Sequence, residues 1–423
     1  MAEIAVIGTG YVGLTTGAYL AHLGHNVTCA DVVPEKVEAL SQGKVPIHED
    51  GLDAMVAEGM QAGRLQFVLG AVPAVEHAEF VFLCLPTPQG EDGSADLSYV
   101  ESVAREIGPH VRSDSIVVNK STVPVGSNLR VAALLERDDV HVVSNPEFLR
   151  EGQALYDSLH PDRIVIGAHD QEAGMRLAGL YEALKAPVVV TDPASAETIK
   201  YVANAFLATK VSFINAVAHF CELVGADVRD VAQGMGLDKR IGFEFLRPGP
   251  GWGGSCFPKD TRALIHMAED RGYPFDLLRG VIAVNDEQYE RVVEKIAWAA
   301  GGSVQGKTIA VWGLTFKART DDLRESPSLF VIQQLRDKGA TVQAFDPMVH
   351  KELEGIAVCG DAYAATEGAD VLAVLTEWDE FRYLDLAKVK NLMATPTVVD
   401  ARNLLDPVQV RRHGFIYDGI GRL

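Results

Sequence analysis

Residues 3 to 31 restrict the fold more than any other stretch of the chain. A short apolar run, Glu3-Ile-Ala-Val-Ile7, ends in Gly8-Thr-Gly10-Tyr-Val-Gly13. A helical pattern follows from Leu14 to Leu23 and is closed by Gly24-His25. A second strand, Asn26–Asp31, then ends on an acid. A glycine-rich run alone would signal only a tight, closely packed turn. Strand, turn, helix, strand and acid in this register predict a dinucleotide site. Gly8, Gly10, Tyr11, Val12 and Gly13 would line it, with a pyrophosphate at the helix N-terminus, where unpaired N–H groups favour an anion. Asp31 is placed to accept from a ribose 2′-hydroxyl, which favours NAD over NADP.

Three more strands follow at the rhythm of a parallel sheet: Phe80–Leu85, Ser115–Asn119 and His141–Ser144. Each leads into a polar or proline-rich loop. In a doubly wound sheet ligands sit beyond the carboxyl ends of the strands, so Thr87, Ser121, Thr122, Glu147 and Glu151 belong on one rim. Taken singly, each serves equally well as a cap or turn residue. Near the other end of the chain the pattern returns. Lys307–Gly313 reads as a strand ending in glycine, followed by a helix (Pro327–Lys338) and strands at Thr341–Asp346, Val371–Leu375 and Thr397–Asp400. The full glycine fingerprint is missing there, so this second nucleotide-type domain need not hold a dinucleotide. Lys317, Arg319 and Arg324 cluster after its first strand and are candidates for phosphate contact.

Between these halves, Ala194 to about Leu223 keeps helical periodicity without Gly or Pro, long for a globular helix. It suits a spine joining two domains, and its apolar stripe suits a dimer contact. Lys200 and Asn204 are four apart and share a face. Facing a cleft they would donate to a developing oxyanion; facing water they would be ordinary surface groups. The expected architecture is α/β: two Rossmann-like doubly wound domains joined by a long central helix. The expected boundaries are 1–190, 191–302 and 303–423.

The spine leads through Arg240, which reads equally as a surface charge or a phosphate ligand, to Gly249-Pro-Gly-Trp-Gly-Gly-Ser-Cys-Phe-Pro-Lys-Asp260. Cys256 lies just before a helix start, with Pro258 suited to the first turn and Lys259 close by. Both the helix end and the lysine favour a thiolate, so a nucleophile is the expected role. Asp260 sits one turn on, within reach of a proton exchange. Cys29, Cys84 and Cys221 read as buried packing residues.

Composition narrows the rest. A chain of 423 residues needs more than one core. A net charge of −20 argues against a nucleic-acid or anionic-membrane partner. Five cysteines without paired spacing give neither a disulfide framework nor a metal site, and fit a reducing, cytoplasmic compartment. The sequence opens directly on a strand, so no signal peptide is expected, and no uncharged apolar run is long enough to span a bilayer.

Six motifs together resemble the nucleotide-sugar 6-dehydrogenases: Gly8–Gly13, Lys120–Pro124, Asn145–Glu151, Lys200–Asn204, Gly253–Asp260 and Gly313–Arg324, with a Gly419-Ile-Gly-Arg422 ending. The resemblance implies oxidation of a sugar C6 alcohol to a carboxylate with two NAD. Cys256 would form a thiohemiacetal and then a thioester. Lys200 and Asn204 would stabilise the oxyanion, Asp260 and Lys200 would move protons, and Thr122 and Glu147 would position water. Asp31, Lys36, Thr87, Thr122, Glu151, Lys259 and Arg324 would touch NAD. The nucleotide sugar would lie among Glu147, Phe148, Leu149, Arg150 and Glu151, beside Lys200 and Asn204. On its other side would be Phe245, Arg247, Pro248, Gly249, Pro250, Gly251, Trp252 and Gly253, with Lys317 and Arg402. Arg240 would reach the neighbouring subunit's substrate, which implies a homodimer or a higher homo-oligomer.

Phe257 after the cysteine and the Gly-Ile-Gly-Arg ending favour UDP-glucose over GDP-mannose, and Ser255 departs from the His usual in the N-acetylmannosamine branch. The product, UDP-glucuronate, would supply polysaccharide synthesis. A degenerate NAD-binding regulator would not keep Cys256, Lys200, Asn204 and Asp260 together. A hydroxyacid dehydrogenase would have no use for the cysteine loop.

Overall fold

The structure, a computed structural model, describes residues 1–90 and 92–422. The chain forms two compact units, Met1–Ala203 with Arg262–Gly272, and Asn204–Thr261 with Tyr273–Leu423.

The first unit is built on eight strands: β1 (Glu3–Ile7), β2 (Asn26–Asp31), β3 (Leu65–Leu69), β4 (Phe80–Leu83), β5 (Ile116–Asn119), β6 (His141–Ser144), β7 (Ile164–Ala168) and β8 (Val188–Thr191). Their order is β3-β2-β1-β4-β5-β6-β7-β8, and only the β6–β7 pair is antiparallel. The strand order reverses between β1 and β4, and the glycine turn lies at that switch point. Both faces of the central strands are buried. In β1, Ile4 and Val6 join one apolar cluster while Ala5 and Ile7 join another on the opposite face. That is why its sequence is apolar without alternation.

The second unit carries β9 (Thr308–Trp312), β10 (Thr341–Phe345), β11 (Ala357–Val358), β12 (Val371–Val374), β13 (Thr397–Asp400) and β14 (Ile416–Gly419). All pair in parallel, in the order β11-β10-β9-β12-β13-β14. The predicted strands are present with ends trimmed by up to two residues. The sequence reading missed β3, β7, β8, β11 and β14. It also missed a 24-residue helix, Asp276–Ala299.

The repeat between the halves extends to a hydrogen-bond pattern. Asp31 at the end of β2 accepts from the Thr9 amide and hydroxyl at 3.0 and 2.6 Å. Asp346, just beyond β10, accepts from the Thr315 amide and hydroxyl, both at 3.0 Å. The same Asp346 oxygen also takes the Leu314 amide and the Trp378 indole, and the residue is fully buried. The second acid therefore serves its own turn and has no oxygen exposed for a ribose.

The predicted spine is a single helix, Pro193–Val224. Its buried stripe runs through Ala196, Lys200, Asn204, Ala208, Asn215 and Ala218, at spacings of three, four and seven. Lys200 and Asn204 are thus on the inward face and not in water. Phe206, Phe213 and Phe220 stand exposed at seven-residue intervals. By length and composition alone this helix could cross a membrane, an 18-residue window of it reaching a mean hydropathy of 1.3, although Lys200 and Lys210 keep it from being the uncharged run a span would need. Its buried face carries Glu197, Lys200, Asn204 and Asn215, each hydrogen-bonded within its own unit. A face with charged and polar groups hydrogen-bonded inside the protein belongs to a protein core and not to lipid.

Candidate active site

The glycine turn of the first unit fits a dinucleotide. A Cβ at Gly8, where φ is +94°, would fall 2.4 Å from the Cys84 carbonyl oxygen, and one at Gly13 would fall 1.9 Å from the Gly8 carbonyl oxygen. These two positions need glycine for close packing of turn, strand and helix. A Cβ at Gly10 would meet nothing within 4 Å. The space it leaves open lies at the N-terminus of the helix Tyr11–His22. Gly10→Ala should therefore fold with an unchanged Tm yet bind NAD at least about tenfold more weakly, since only the approaching pyrophosphate meets the new methyl. Calorimetric titration with NAD checks this, and unchanged affinity would rule the turn out as the phosphate cradle.

Burial opposes charge on Asp31, but the Thr9 hydroxyl, Lys36 and the Thr9 amide hold its carboxyl down at about 2. Lys36 reaches it at 2.9 Å. The acid is fully ionised at neutral pH, as a hydroxyl acceptor needs to be. The Tyr11 hydroxyl donates to Glu49 and accepts from the Gly152 amide, tying the glycine turn to the loop after β6. Burial and Glu49 push this phenol up, so it stays neutral. The Thr87 hydroxyl donates to the Thr122 carbonyl at 2.9 Å, bringing those two rim residues together.

Beyond β6 the same unit holds a buried charge cluster. Lys200 Nζ donates to the Glu147 carbonyl at 2.7 Å and to its carboxylate at 3.0 Å. The other Glu147 oxygen accepts from the Leu149 amide at 2.6 Å. Burial opposes ionisation of Glu147, yet Lys200, the Leu149 amide and Lys120 hold its carboxyl below the usual range. Burial pushes Lys120 down to about 8. Lys120 donates to Asn145 at 3.0 Å, and Asn145 also accepts from Tyr181. Phe148 offers its ring to the Arg163 guanidinium at 3.6 Å and to Lys200 at 5.4 Å.

In the second unit, Cys256 directly precedes the helix Phe257–Glu269, and its carbonyl accepts from the Asp260 amide at 3.0 Å. The thiol is partly exposed, with the Ser255 hydroxyl 3.5 Å from the sulfur. Asp260 is 1% exposed and clamped from both sides: Asn204 donates to one oxygen at 2.6 Å and Lys259 to the other at 2.6 Å. The preceding loop is held as a rigid strap. The Trp252 amide donates to Asn285 and its indole to Ser212, both at 2.8 Å. The Gly249 amide donates to Asn215, and its carbonyl accepts from Gln288. A Cβ at Gly253 would fall 1.8 Å from the Glu325 carbonyl oxygen. Trp252 and Phe245 pack against Phe257 at 6.3 and 6.1 Å between ring centroids.

A cysteine at a helix start, one turn before a buried, clamped carboxylate, has the chemistry to add to a carbonyl carbon. Residues 2–185 match the NAD binding domain of the UDP-glucose/GDP-mannose dehydrogenase family. Residues 194–287 match the family's central domain and residues 310–407 its UDP binding domain. The chain belongs to the UDP-glucose/GDP-mannose dehydrogenase family. It is 47% identical to a UDP-glucose 6-dehydrogenase of Rhizobium meliloti (strain 1021) over 99% of both chains. It is 46% identical to one from Pseudomonas aeruginosa over 99% of this chain and 97% of the relative. The structure of a UDP-glucose dehydrogenase from Pyrobaculum islandicum superposes with a TM-score of 0.92 at 38% identity, covering 100% of this chain and 98% of that one.

The family's other expected ligand residues occupy varied settings. The Arg402 guanidinium donates to the Phe316 and Leu375 carbonyls at 3.0 and 2.8 Å and pairs with Glu377. Lys317 lies over the Phe316 ring at 5.3 Å. Arg150 is paired with Asp157, Arg324 with Asp322, and the highly exposed Arg240 with Asp238. Lys259 is turned onto Asp260 in this structure. Glu151 is partly buried, Arg247 is exposed, and Pro248, Pro250 and Gly251 are buried. Lys120, Asn145, Asn285 and Gln288 escaped the sequence reading as site residues. Lys120 and Asn145 each open a motif that carries the family resemblance, and those were the signals available. The two polar residues of the helix Asp276–Ala299 gave none.

Proposed function

We propose that the chain oxidises UDP-glucose at C6 to UDP-glucuronate in two successive two-electron steps. The observation that carries this reading is Cys256 at a helix start beside Asp260, which Asn204 and Lys259 hold in place. NAD supplies the hydride acceptor for both steps, one molecule for each, and Gly8–Gly13 with Asp31 would hold it. After the first oxidation the Cys256 thiolate adds to the C6 aldehyde, forming a C–S bond and an oxyanion. Lys200 and Asn204 donate to that oxygen. Loss of hydride from the same carbon leaves a thioester. Water adds to the thioester carbonyl, the C–S bond breaks, and the carboxylate departs. Asp260 and Lys200 relay the protons, while Thr122 and Glu147 orient the water. Glu147 also holds Lys200 in position.

UDP-glucose is favoured over GDP-mannose because close, full-length relatives carry that name, in line with the Cys256-Phe257 pair. The test is the NADH formed per sugar consumed, with either nucleotide sugar supplied alone. Two NADH per UDP-glucose and none from GDP-mannose is the expected result. One NADH per sugar would remove the thioester.

The same reading makes the protein a soluble, cytoplasmic homodimer or higher homo-oligomer. Phe206, Phe213 and Phe220 form an exposed apolar row on the spine helix, which a second copy would cover. Phe213→Asp with Phe220→Asp should give a monomer in light scattering, and an unchanged mass would reject that interface.

A further inference from the structure

In the second unit four arginines converge on a cavity of about 360 Å³ that the proposed chemistry does not use. Arg229 comes from the first turn of the helix Val228–Gly236 and Arg382 from the turn Asp379–Tyr383. Arg411 comes from the helix Pro407–Arg412 and Arg422 from the tail after β14. Among the described residues Asp406 is the one carboxylate in the lining, and it caps its own helix by accepting from the Val408 and Gln409 amides. In a chain of net charge −20 such a convergence is a local reversal of sign.

Two of the four guanidiniums are not taken up by ion pairs, and a third keeps an unused donor. Among the described residues, Arg229 and Arg411 make no ion pair. Arg422 reaches Asp227 through Nε at 3.0 Å, while its Nη1 is buried without a hydrogen-bond partner. Arg382 pairs with Asp379 at 3.3 Å and donates to the Leu404 carbonyl at 2.6 Å. Arg229 donates to the Asn403 carbonyl. The segment Asn403–Leu404 is thus gripped by two of the arginines. Arg402, one residue earlier, is bonded to Phe316 and Leu375 and does not line the cavity. Arg411 lies over the Tyr417 ring at 5.7 Å, and Leu405 and Val408 complete an apolar wall.

We infer that this cavity binds a phosphoryl group. Guanidinium forks arriving from four separate elements match the several oxygens of a tetrahedral dianion better than a planar carboxylate. The volume is in the range of small-ligand pockets, and the apolar wall provides a surface for the organic part of a phosphate ester.

Calorimetric titration of the full chain at low salt with inorganic phosphate, and separately with ribose 5-phosphate, tests the site. Saturable binding of one equivalent is expected, weakened at least tenfold in R229A/R411A and less in R229K/R411K. Tighter binding of the ester would identify an organic phosphate as the occupant, and equal binding the free ion. Absence of saturation with both probes overturns the assignment. Equal affinity in wild type and R229A/R411A overturns it too, by placing the phosphate elsewhere. Should the double variant fail to fold, Arg411→Glu carries the same test, since among the described residues the Arg411 side chain makes no ion pair and no hydrogen bond.

Discussion

Cys256→Ser is expected to fold, bind NAD and UDP-glucose, and lose acid formation by about 10³-fold or more. The thiol is partly exposed, and the Ser255 hydroxyl touches it at only 3.5 Å, so little packing is lost with the sulfur. What is lost is a soft nucleophile that adds to an aldehyde and leaves readily from a thioester. A serine hydroxyl has neither property. Rapid-quench analysis should find aldehyde held by the variant in place of acid. Acid formation within tenfold of wild type would exclude Cys256 as the covalent centre and leave the two oxidations without a common intermediate.

Lys200→Met is expected to lower kcat by about 10²- to 10³-fold, the loss typical of one oxyanion donor. It should also cost about 3 kcal/mol of stability, because the buried Glu147 carboxylate loses its main counter-charge. The two effects separate in the double variant K200M/E147Q, where stability should largely return and the rate should not. Acid unfolding gives a further handle. The Glu147 carboxyl sits below its ordinary value of 4.5 in the folded protein, so it contributes stability above that pH. That contribution fades as pH falls through the lower folded value, and it should shrink in K200M. Full recovery of rate in the double variant would mean that Lys200 serves Glu147 alone.

The first sheet was legible where the pattern is strongest. β1, β2 and β6 have the predicted bounds because each is an apolar run between turn residues. β8 was not legible: Val188, Val189 and Val190 form a sheet edge and are each about 40% exposed, so no burial pattern marks them. β14 is four residues long and contains Asp418 and Gly419, which carry no strand signal of their own. The chemistry-bearing residues could be singled out from motifs, but their pairing could not. Lys200 meets Glu147 across 53 residues, and Asn204 meets Asp260 across 56. Local sequence does not encode such closures. The clamps on the Trp252 loop were hidden for a related reason: Asn285 and Gln288 reach the loop across more than thirty residues from a helix that local sequence did not reveal.

The spine helix has a consequence for how this chain can change over evolutionary time. Each residue added to an α-helix turns everything after it by about 100° and advances it by about 1.5 Å. Lys200 is committed to Glu147, and Asn204 to Asp260, one turn further along the same rod. Single-residue insertions or deletions between them would put one partner out of phase with its mate. The surrounding loops can lengthen or shorten freely, and side chains on the helix can be exchanged, but its residue count behaves as a fixed constant. Length variation among relatives should therefore gather outside 197–221.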